Sequence, residues 1–359
     1  MNIFVIALQV VAVGDDLSAA VAKGGVVTLA PGKHRSGPLM LSSKVTLRAE
    51  KRATIDFEGK GGLYLKADGC VVENLEILNA QNFGVDVDAS DCVLKGCAVF
   101  GSGGDAVKLS PGNWREKKYN RGAKILNCEI GKNKAFEGID CVGQDDVLIA
   151  DCKFIDTPGW GVYLKGGAAR GVVERCVFER TGTLANNPAG GVCLGEHTGP
   201  DEVMTNKHGQ PWECVDGVVR HCVFIDIPSA ALAAWCAKNS LFAHNTIVSA
   251  ATKDRAAIIV LSNHGLPSTD LTFEGNIIVG APGRPLVWLY DKGAAGKIVF
   301  KDNVWWGGNG KFWNQAAGRG PEDFAAWKAV DPTSVFADPK LDAAHRPGLA
   351  TRAGATLSK

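Results

Sequence analysis

The sequence predicts an all-β solenoid, a parallel β-helix, and three observations lead there. Short segments recur. Gly138-Ile139-Asp140-Cys141 superimposes on Gly161-Val162-Tyr163-Leu164, and Ile149-Ala150-Asp151-Cys152-Lys153-Phe154 on Val173-Glu174-Arg175-Cys176-Val177-Phe178, at an offset of 23 to 24 residues. A unit that short cannot fold alone and must bury its apolar positions against copies of itself. Within the units apolar residues alternate with the period of a strand, not of a helix. Composition agrees: 44 Gly and only 3 Met, with many Val and Ile, favour β-structure.

In chain order, residues 1–13 carry a short apolar run with a Val10-x-Ala12 cleavage-type signal but no basic segment ahead of it. They read as a short signal peptide, implying a secreted or periplasmic protein, or equally as a first strand, which leaves a cytoplasmic location open. Asp15 to Gly25 reads as a helix, with Asp at the N-cap, Leu17 and Val21 on one face and Gly past the end. Capping one end of a stack of coils, it prevents edge-to-edge pairing there. Residues 14–306 form the β-helix domain, roughly 9–11 coils. The first strands of these coils begin at Leu63, Val85, Val107, Ile139, Val162, Val192, Leu232, Ile258 and Leu286. Their second strands carry Leu75, Cys97, Cys128, Cys152, Cys176, Cys222, Asn245, Asn276 and Asn303 at one position. A leucine-rich repeat has a similar length, but its Leu/Asn spacing is missing, and a propeller blade needs a longer unit. From Gly307 the repeat fades. Residues 307–359 read as an irregular tail packing on the last coils, with one short helix from Pro321 to Lys328 and Pro at N1.

Net charge +1 and pI near 7.5 carry no nucleic-acid signal, and no stretch approaches the ~18 apolar residues of a membrane span. The 11 cysteines are odd in number and form no CxxC pairs. Cys97, Cys128, Cys152, Cys176 and Cys222 share a repeat position with Leu and Asn, which is how a small buried side chain behaves. They read as an interior ladder, not as a disulfide frame or a metal site.

Strand alternation sorts the remaining residues. One outward column reads Tyr64, Asp86, Lys108, Asp140, Tyr163, Cys193, Ala233, Ile259; the next reads Lys66, Asp88, Ser110, Val142, Lys165, Gly195, Trp235, Leu261. Charge is concentrated in the first half of this face. Long insertions at Ser110–Gly122 and Gly195–Glu213 follow their strands at one corner, and Thr181–Gly190 precedes a strand on the other side. Loops over ~12 residues are commonly functional, and these three would wall a groove over the charged face.

The coils resemble the right-handed parallel β-helix of the pectate-lyase superfamily. The segments Gly161-Val-Tyr-Leu-Lys-Gly-Gly167 and Gly190-Gly-Val-Cys-Leu-Gly-Glu-His-Thr-Gly199, with Phe336-Ala-Asp-Pro339 in the tail, are similar to bacterial β-helix proteins of unassigned activity. The resemblance covers nearly the whole chain and implies the right-handed fold; one fold hosts many chemistries. Gly138-Ile139-Asp140 is similar to a fragment of the polygalacturonase pattern, but that pattern's Asn-Thr-Asp lead, Gly-His-Gly and Arg-x-Lys elements are missing.

On such a groove, β-elimination from a uronate-containing polysaccharide or oligosaccharide is the first expectation. It needs a cation at the carboxylate, a base at C5 and an acid at the leaving oxygen. Lys165 is the base if burial and a neighbouring cation lower its pKa. Tyr163 or His197 is the acid. Lys108, or a Ca²⁺ held by Asp86, Asp88 and Asp140, neutralises the carboxylate; no other cofactor is required. Asp86, Asp88, Trp114, Arg115, Trp212 and Trp235 are the expected sugar-binding residues. The alternative is glycoside hydrolysis by two carboxyls, ~5 Å apart for retention or ~6.5–9.5 Å for inversion. Asp86 with Asp140, or Asp140 with Glu196, supplies the pair. A third class is a non-catalytic glycan-binding or surface scaffold protein, in which Asp86, Lys108 and Asp140 merely alternate in charge across strands.

Overall fold

A computed structural model describes residues 8–184, 189–196, 198, 207, 209–263, 265–290, 297–348 and 351–356. The chain winds as a parallel β-helix. Its first strands stack into a 13-stranded sheet, and the other two strands of each coil join in a 22-stranded sheet that wraps the rest of the barrel. The expected outward column is present in register: Met40, Tyr64, Asp86, Lys108, Asp140 and Tyr163 pair in turn. It continues through Cys193, Ala233, Ile259, Trp288 and Trp313. The column therefore begins one coil before Tyr64 and runs two coils past Ile259.

The interior is built from identical residues meeting across coils. Phe154, Phe178 and Phe224 stack with ring centroids 4.6 and 4.8 Å apart, and Phe242, Phe273 and Phe300 repeat those spacings. These are the ~4.8 Å strand separations of a sheet transmitted to side chains. All eleven cysteines are free and buried. In their ladder the backbone N–H of Cys128 donates to Cys152 Sγ at 3.4 Å, and that of Cys152 to Cys176 Sγ at 3.5 Å. Farther along, asparagine amides take over: the N–H of Cys222 donates to Asn245 Oδ1, that of Asn245 to Asn276 Oδ1 and that of Asn276 to Asn303 Oδ1, each at 2.9–3.0 Å. The same orphan N–H of each turn is thus satisfied by sulfur early and by amide oxygen late.

The N-terminal helix covers Leu17–Ala22, with Asp16 Oδ1 accepting from Ala19 N at 3.0 Å and Leu17, Ala20 and Val21 buried. Ahead of it, Leu8–Val11 pairs in parallel with Val26–Leu29, so this part of the first thirteen residues is a strand of the fold.

Three details of the C-terminal expectation are corrected. The last of the expected strands is Val287–Leu289, with Leu286 just before it. The repeat also does not stop at Gly307. Phe312–Asn314 adds to the first-strand sheet, and Val335–Phe336 pairs with Val304–Trp305. The short helix is Phe324–Trp327, capped by Asp323 Oδ1 on Ala326 N, while Pro321–Glu322 pairs antiparallel with Phe312–Trp313. Proline's fixed φ suits an extended edge residue as well as a helix start, and Asp323 is the better cap.

The face opposite the interior changes character along the sheet. Cys193, Ala233 and Ile259 are fully buried in an outer apolar cluster with Trp160, Tyr163, Ala230 and Ala256, onto which Trp235, Leu261, Trp288 and Tyr290 pack. The charged first half adjoins this cluster at Tyr163.

Candidate active site

The charged site forms where two columns run side by side. One is the outward strand column Asp86, Lys108, Asp140, Tyr163. The other lies in the turns that lead into those strands. Extending the strand register backwards places Asp105 beside Glu137 and Glu137 beside Trp160. Backbone bonds hold that alignment, from Ala106 N to Glu137 O at 3.0 Å and from Gly138 N to Trp160 O at 2.9 Å. Gly138 permits the close approach: a Cβ there would sit 2.5 Å from Gly161 O and 3.0 Å from Phe154 Cδ1.

Asp140 and Asp105 are buried and Glu137 half-buried. One carboxylate oxygen from each lies within 4.8 Å of the others. Lys108 hydrogen-bonds Asp140 Oδ2 and stands 4.0 Å from Asp105 Oδ2. Lys165 Nζ is 3.5 Å from Asp140 Oδ1 and 3.9 Å from the centroid of the Tyr163 ring. Glu137 N donates to Asp105 Oδ1 at 2.9 Å. Burial, the negative charges of Asp140 and Asp105, and a carboxyl–carboxyl hydrogen bond to Asp105 push the Glu137 carboxyl up to about 9. Burial and Asp140 push Asp105 up as well. Two carboxyls this close share a proton, and Glu137 is the one that keeps it at neutral pH. Lys108 and Lys165 face this acidic cluster from the same sheet. Burial opposes the charge on Lys108, but Asp140 outweighs it and holds that ammonium above the usual lysine range.

Glu196 extends the site by one coil. Its Oε2 accepts from Trp160 Nε1 at 3.0 Å, and Tyr163 also hydrogen-bonds its carboxyl; burial nevertheless leaves its pKa raised. The corner beneath it is fastened by Glu213, fully buried, whose Oε2 accepts from Gly166 N at 2.8 Å and whose Oε1 accepts from Thr198 N at 3.2 Å. Glu213 therefore positions both the turn after Lys165 and the segment after Glu196.

The expected residues divide into three groups. Lys108, Asp140, Tyr163, Lys165 and Glu196 lie next to one another. Asp86 and Asp88 do not join Asp140 in a cation site. Lys66 bridges them at 2.9 and 3.2 Å, Ser110 Oγ donates to Asp86 at 2.8 Å and Asn120 Nδ2 to Asp88 at 3.0 Å. Of the four aromatic and basic sugar-binding candidates, Trp212 and Trp235 fasten loops. Arg115 stacks 4.2 Å over Trp114 on the inserted hairpin, Trp212 Nε1 donates to Pro267 O at 3.2 Å, and Trp235 Nε1 donates to Ser262 O at 2.6 Å. His197 lies outside the described residues.

Among the described residues Asp105, Glu137 and Asp140 are the one set of three His, Cys, Asp or Glu side chains with ligand atoms close enough for a metal ion. The set does not fit Ca²⁺, which takes six to eight oxygens, because Lys108 and Lys165 already supply the counter-charge at Asp140.

Asp105, Glu137 and Trp160 were missed by strand alternation because they precede the strands. A signal was available. Asp105-x-x-Lys108 and Glu137-x-x-Asp140 repeat the same spacing on consecutive coils, and aligning the turns along with the strands reveals it.

A family model described as a right handed beta helix region matches residues 61–208. Solved structures share the fold over most of the chain. The surface adhesin PfbA of Streptococcus pneumoniae superimposes with a TM-score of 0.62 at 11% identity, covering 89% of this chain and 84% of that one. The A-module of the Azotobacter vinelandii mannuronan C-5 epimerase AlgE4 gives 0.60 at 12% identity, covering 89% and 93%. Pectate lyase Pel9A gives 0.56 at 13% identity, covering 82% and 79%. No curated protein matches the chain by sequence. The fold is therefore a right-handed parallel β-helix, an architecture found here in a lyase, an epimerase and an adhesin.

Proposed function

We propose that the chain is a carbohydrate-active enzyme that cleaves a polysaccharide over the charged half of the first-strand sheet, by glycoside hydrolysis. The observation that carries this is the Asp105–Glu137–Asp140 cluster. Hydrolysis needs one carboxyl that keeps its proton at neutral pH and one carboxylate beside it. Glu137, pushed up to about 9, is suited to protonate the leaving oxygen. Asp140, fixed in place by Lys108 and Lys165, is the second carboxyl beside it. One oxygen from each carboxyl lies within 4.8 Å of the others, so the two groups can act on the same glycosidic bond. The Asp86–Asp140 pair is less suited, because Asp86 is tied to Lys66 and Ser110.

β-Elimination of a uronate is the second reading. Lys165, poised between Asp140 and the Tyr163 ring, favours it, as does the likeness to a pectate lyase and an epimerase. Against it, three carboxyls crowd the place where a uronate would bring a fourth, and Lys108 is committed to Asp140. One screen of acidic and neutral polysaccharides separates the readings. Hydrolysis yields new reducing ends with no unsaturated, ultraviolet-absorbing product, and elimination yields that product. Neither signal from folded protein leaves a non-catalytic scaffold.

A further inference from the structure

We infer that Phe136 is a stacking platform for a sugar ring, forming a binding subsite immediately beside the Asp105–Glu137 pair. The inference rests on the saccharide reading above. Phe136 is 61% exposed, against 38% for Trp306. It also adopts φ 62°, the left-handed region that a bulky side chain ordinarily avoids. An exposed ring and a strained backbone each work against stability, yet the turn that carries them is firmly built. The buried Asn133 side chain reaches the carbonyls of Gly104, Ala135, Phe136 and Glu137 at 2.6–3.2 Å. Gly159 N donates to Phe136 O at 2.6 Å. Backbone strain held in place by its surroundings points to function.

The neighbouring coils leave the ring clear. In register, Phe136 lies between Gly104 and Gly159, so neither adjacent coil sets a side chain beside it. One residue on, Glu137 and the ammonium-paired carboxylates supply hydrogen-bonding groups. An apolar plate next to polar groups matches a pyranose, whose ring faces are C–H-rich and whose rim is hydroxylated. Phe83, half-buried with Lys108 Nζ 5.9 Å from its ring centroid, sits two coils away in the adjoining column and gives the groove a second aromatic edge.

The test uses the full chain and calorimetric titration with hexasaccharides of galacturonate, mannuronate, glucose and xylose. At least one is expected to bind. Phe136→Ala should then weaken that binding ~5-fold and Phe136→Trp should restore it. The melting temperature of Phe136→Ala should be unchanged or higher, since it removes exposed apolar surface. Equal affinity in wild type and Phe136→Ala overturns the platform and leaves the proposed activity standing. If none of the four binds, the platform falls together with the saccharide reading. A Phe136-dependent dimer in sedimentation assigns the ring to self-association and also overturns it.

Discussion

Asp105 Oδ1 accepts the backbone N–H of Glu137 at 2.9 Å, and the Asp105 carboxyl lies close enough to that of Glu137 to help push it up to about 9. The bond needs an acceptor on Asp105, and the raised pKa leaves the proton on Glu137. The pair is a donor and its fixed partner rather than two equivalent acids. Replacing Glu137 by Gln keeps a hydrogen-bond donor facing Asp105 but removes the transferable proton. Turnover should fall ~10²–10⁴-fold while the circular dichroism spectrum stays that of wild type. Asp105→Asn should lower turnover less, because Glu137 keeps its place beside Asp140.

The same proton makes stability depend on pH. The Glu137 carboxyl titrates at about 9 in the folded chain against an ordinary value of 4.5. A raised carboxyl pKa means the folded state binds more protons than the unfolded state between those values. The stabilisation is complete below pH 4.5 and is lost as pH rises towards 9. Melting temperature should therefore decline across that window from this group, and Glu137→Gln should flatten the decline. Hydrolytic turnover should fall on the alkaline side, with a midpoint near 9. A rate that rises through pH 9 would contradict Glu137 as the acid.

Gly159 tests the geometry without replacing any titratable residue. A Cβ on it would stand 2.7 Å from Phe136 O and 2.9 Å from Glu137 Oε1. Gly159→Ala must displace the turn or the carboxyl, so activity should fall at least tenfold, a cost of ~1.4 kcal/mol or more in transition-state stabilisation. Gly320→Ala, where a Cβ meets nothing within 4 Å, is the control and should leave both activity and melting temperature unchanged.

The fold was legible because its grammar is local. A strand of two inward residues, such as Val107 and Leu109 around Lys108, announces its facing by alternation alone, and every column assigned on that basis from Tyr64 to Ile259 is in register. The site was half legible for the same reason. Asp140, Lys108 and Lys165 lie on strands, whereas Asp105 and Glu137 lie in turns, where alternation lapses and only the hydrogen-bonded register fixes the neighbours. Trp235 shows the opposite limit. Its outward position was read correctly, but its indole N–H bonds to Ser262 O across a loop, a contact between segments 27 residues apart that no strand pattern encodes. Past Gly307 the repeat was lost because Phe312–Asn314 and Val335–Phe336 are separated by the Phe324–Trp327 helix, which hides the coil spacing.

The cysteines permit a chemical check. All eleven are buried. Burial keeps Cys141 up at about 12, whereas Cys92 draws Cys70 down to about 6, and Cys70 is shielded from reagents by having no exposed surface. Thiolate is the reactive form. Alkylation of the native protein should label almost none of them, denaturation should expose all eleven, and reductant should not move the melting temperature. A drop on adding reductant would reveal a disulfide.

The ladder predicts a graded response to truncation. At Cys152 the sulfur accepts from Cys128 N at 3.4 Å and its S–H reaches Ala150 O at 3.2 Å and Ile125 O at 3.4 Å. These are weak sulfur bonds, so Cys152→Ala should cost ~1 kcal/mol. Asn276 is more deeply committed. Its Oδ1 accepts from Asn245 N and Asn245 Nδ2, and its Nδ2 donates to Phe242 O and Asn303 Oδ1, all at 3.0 Å. Asn276→Ala strands those buried partners on both adjacent coils and should cost ~3 kcal/mol or more. Asn276→Cys reproduces the residue used earlier in the same ladder, but a single sulfur replaces the amide's two acceptances and supplies only one weak donor. Its cost should fall between the other two, as read by chemical denaturation. If Asn276→Ala and Cys152→Ala prove equally mild, the amide network adds nothing to stability beyond filling space.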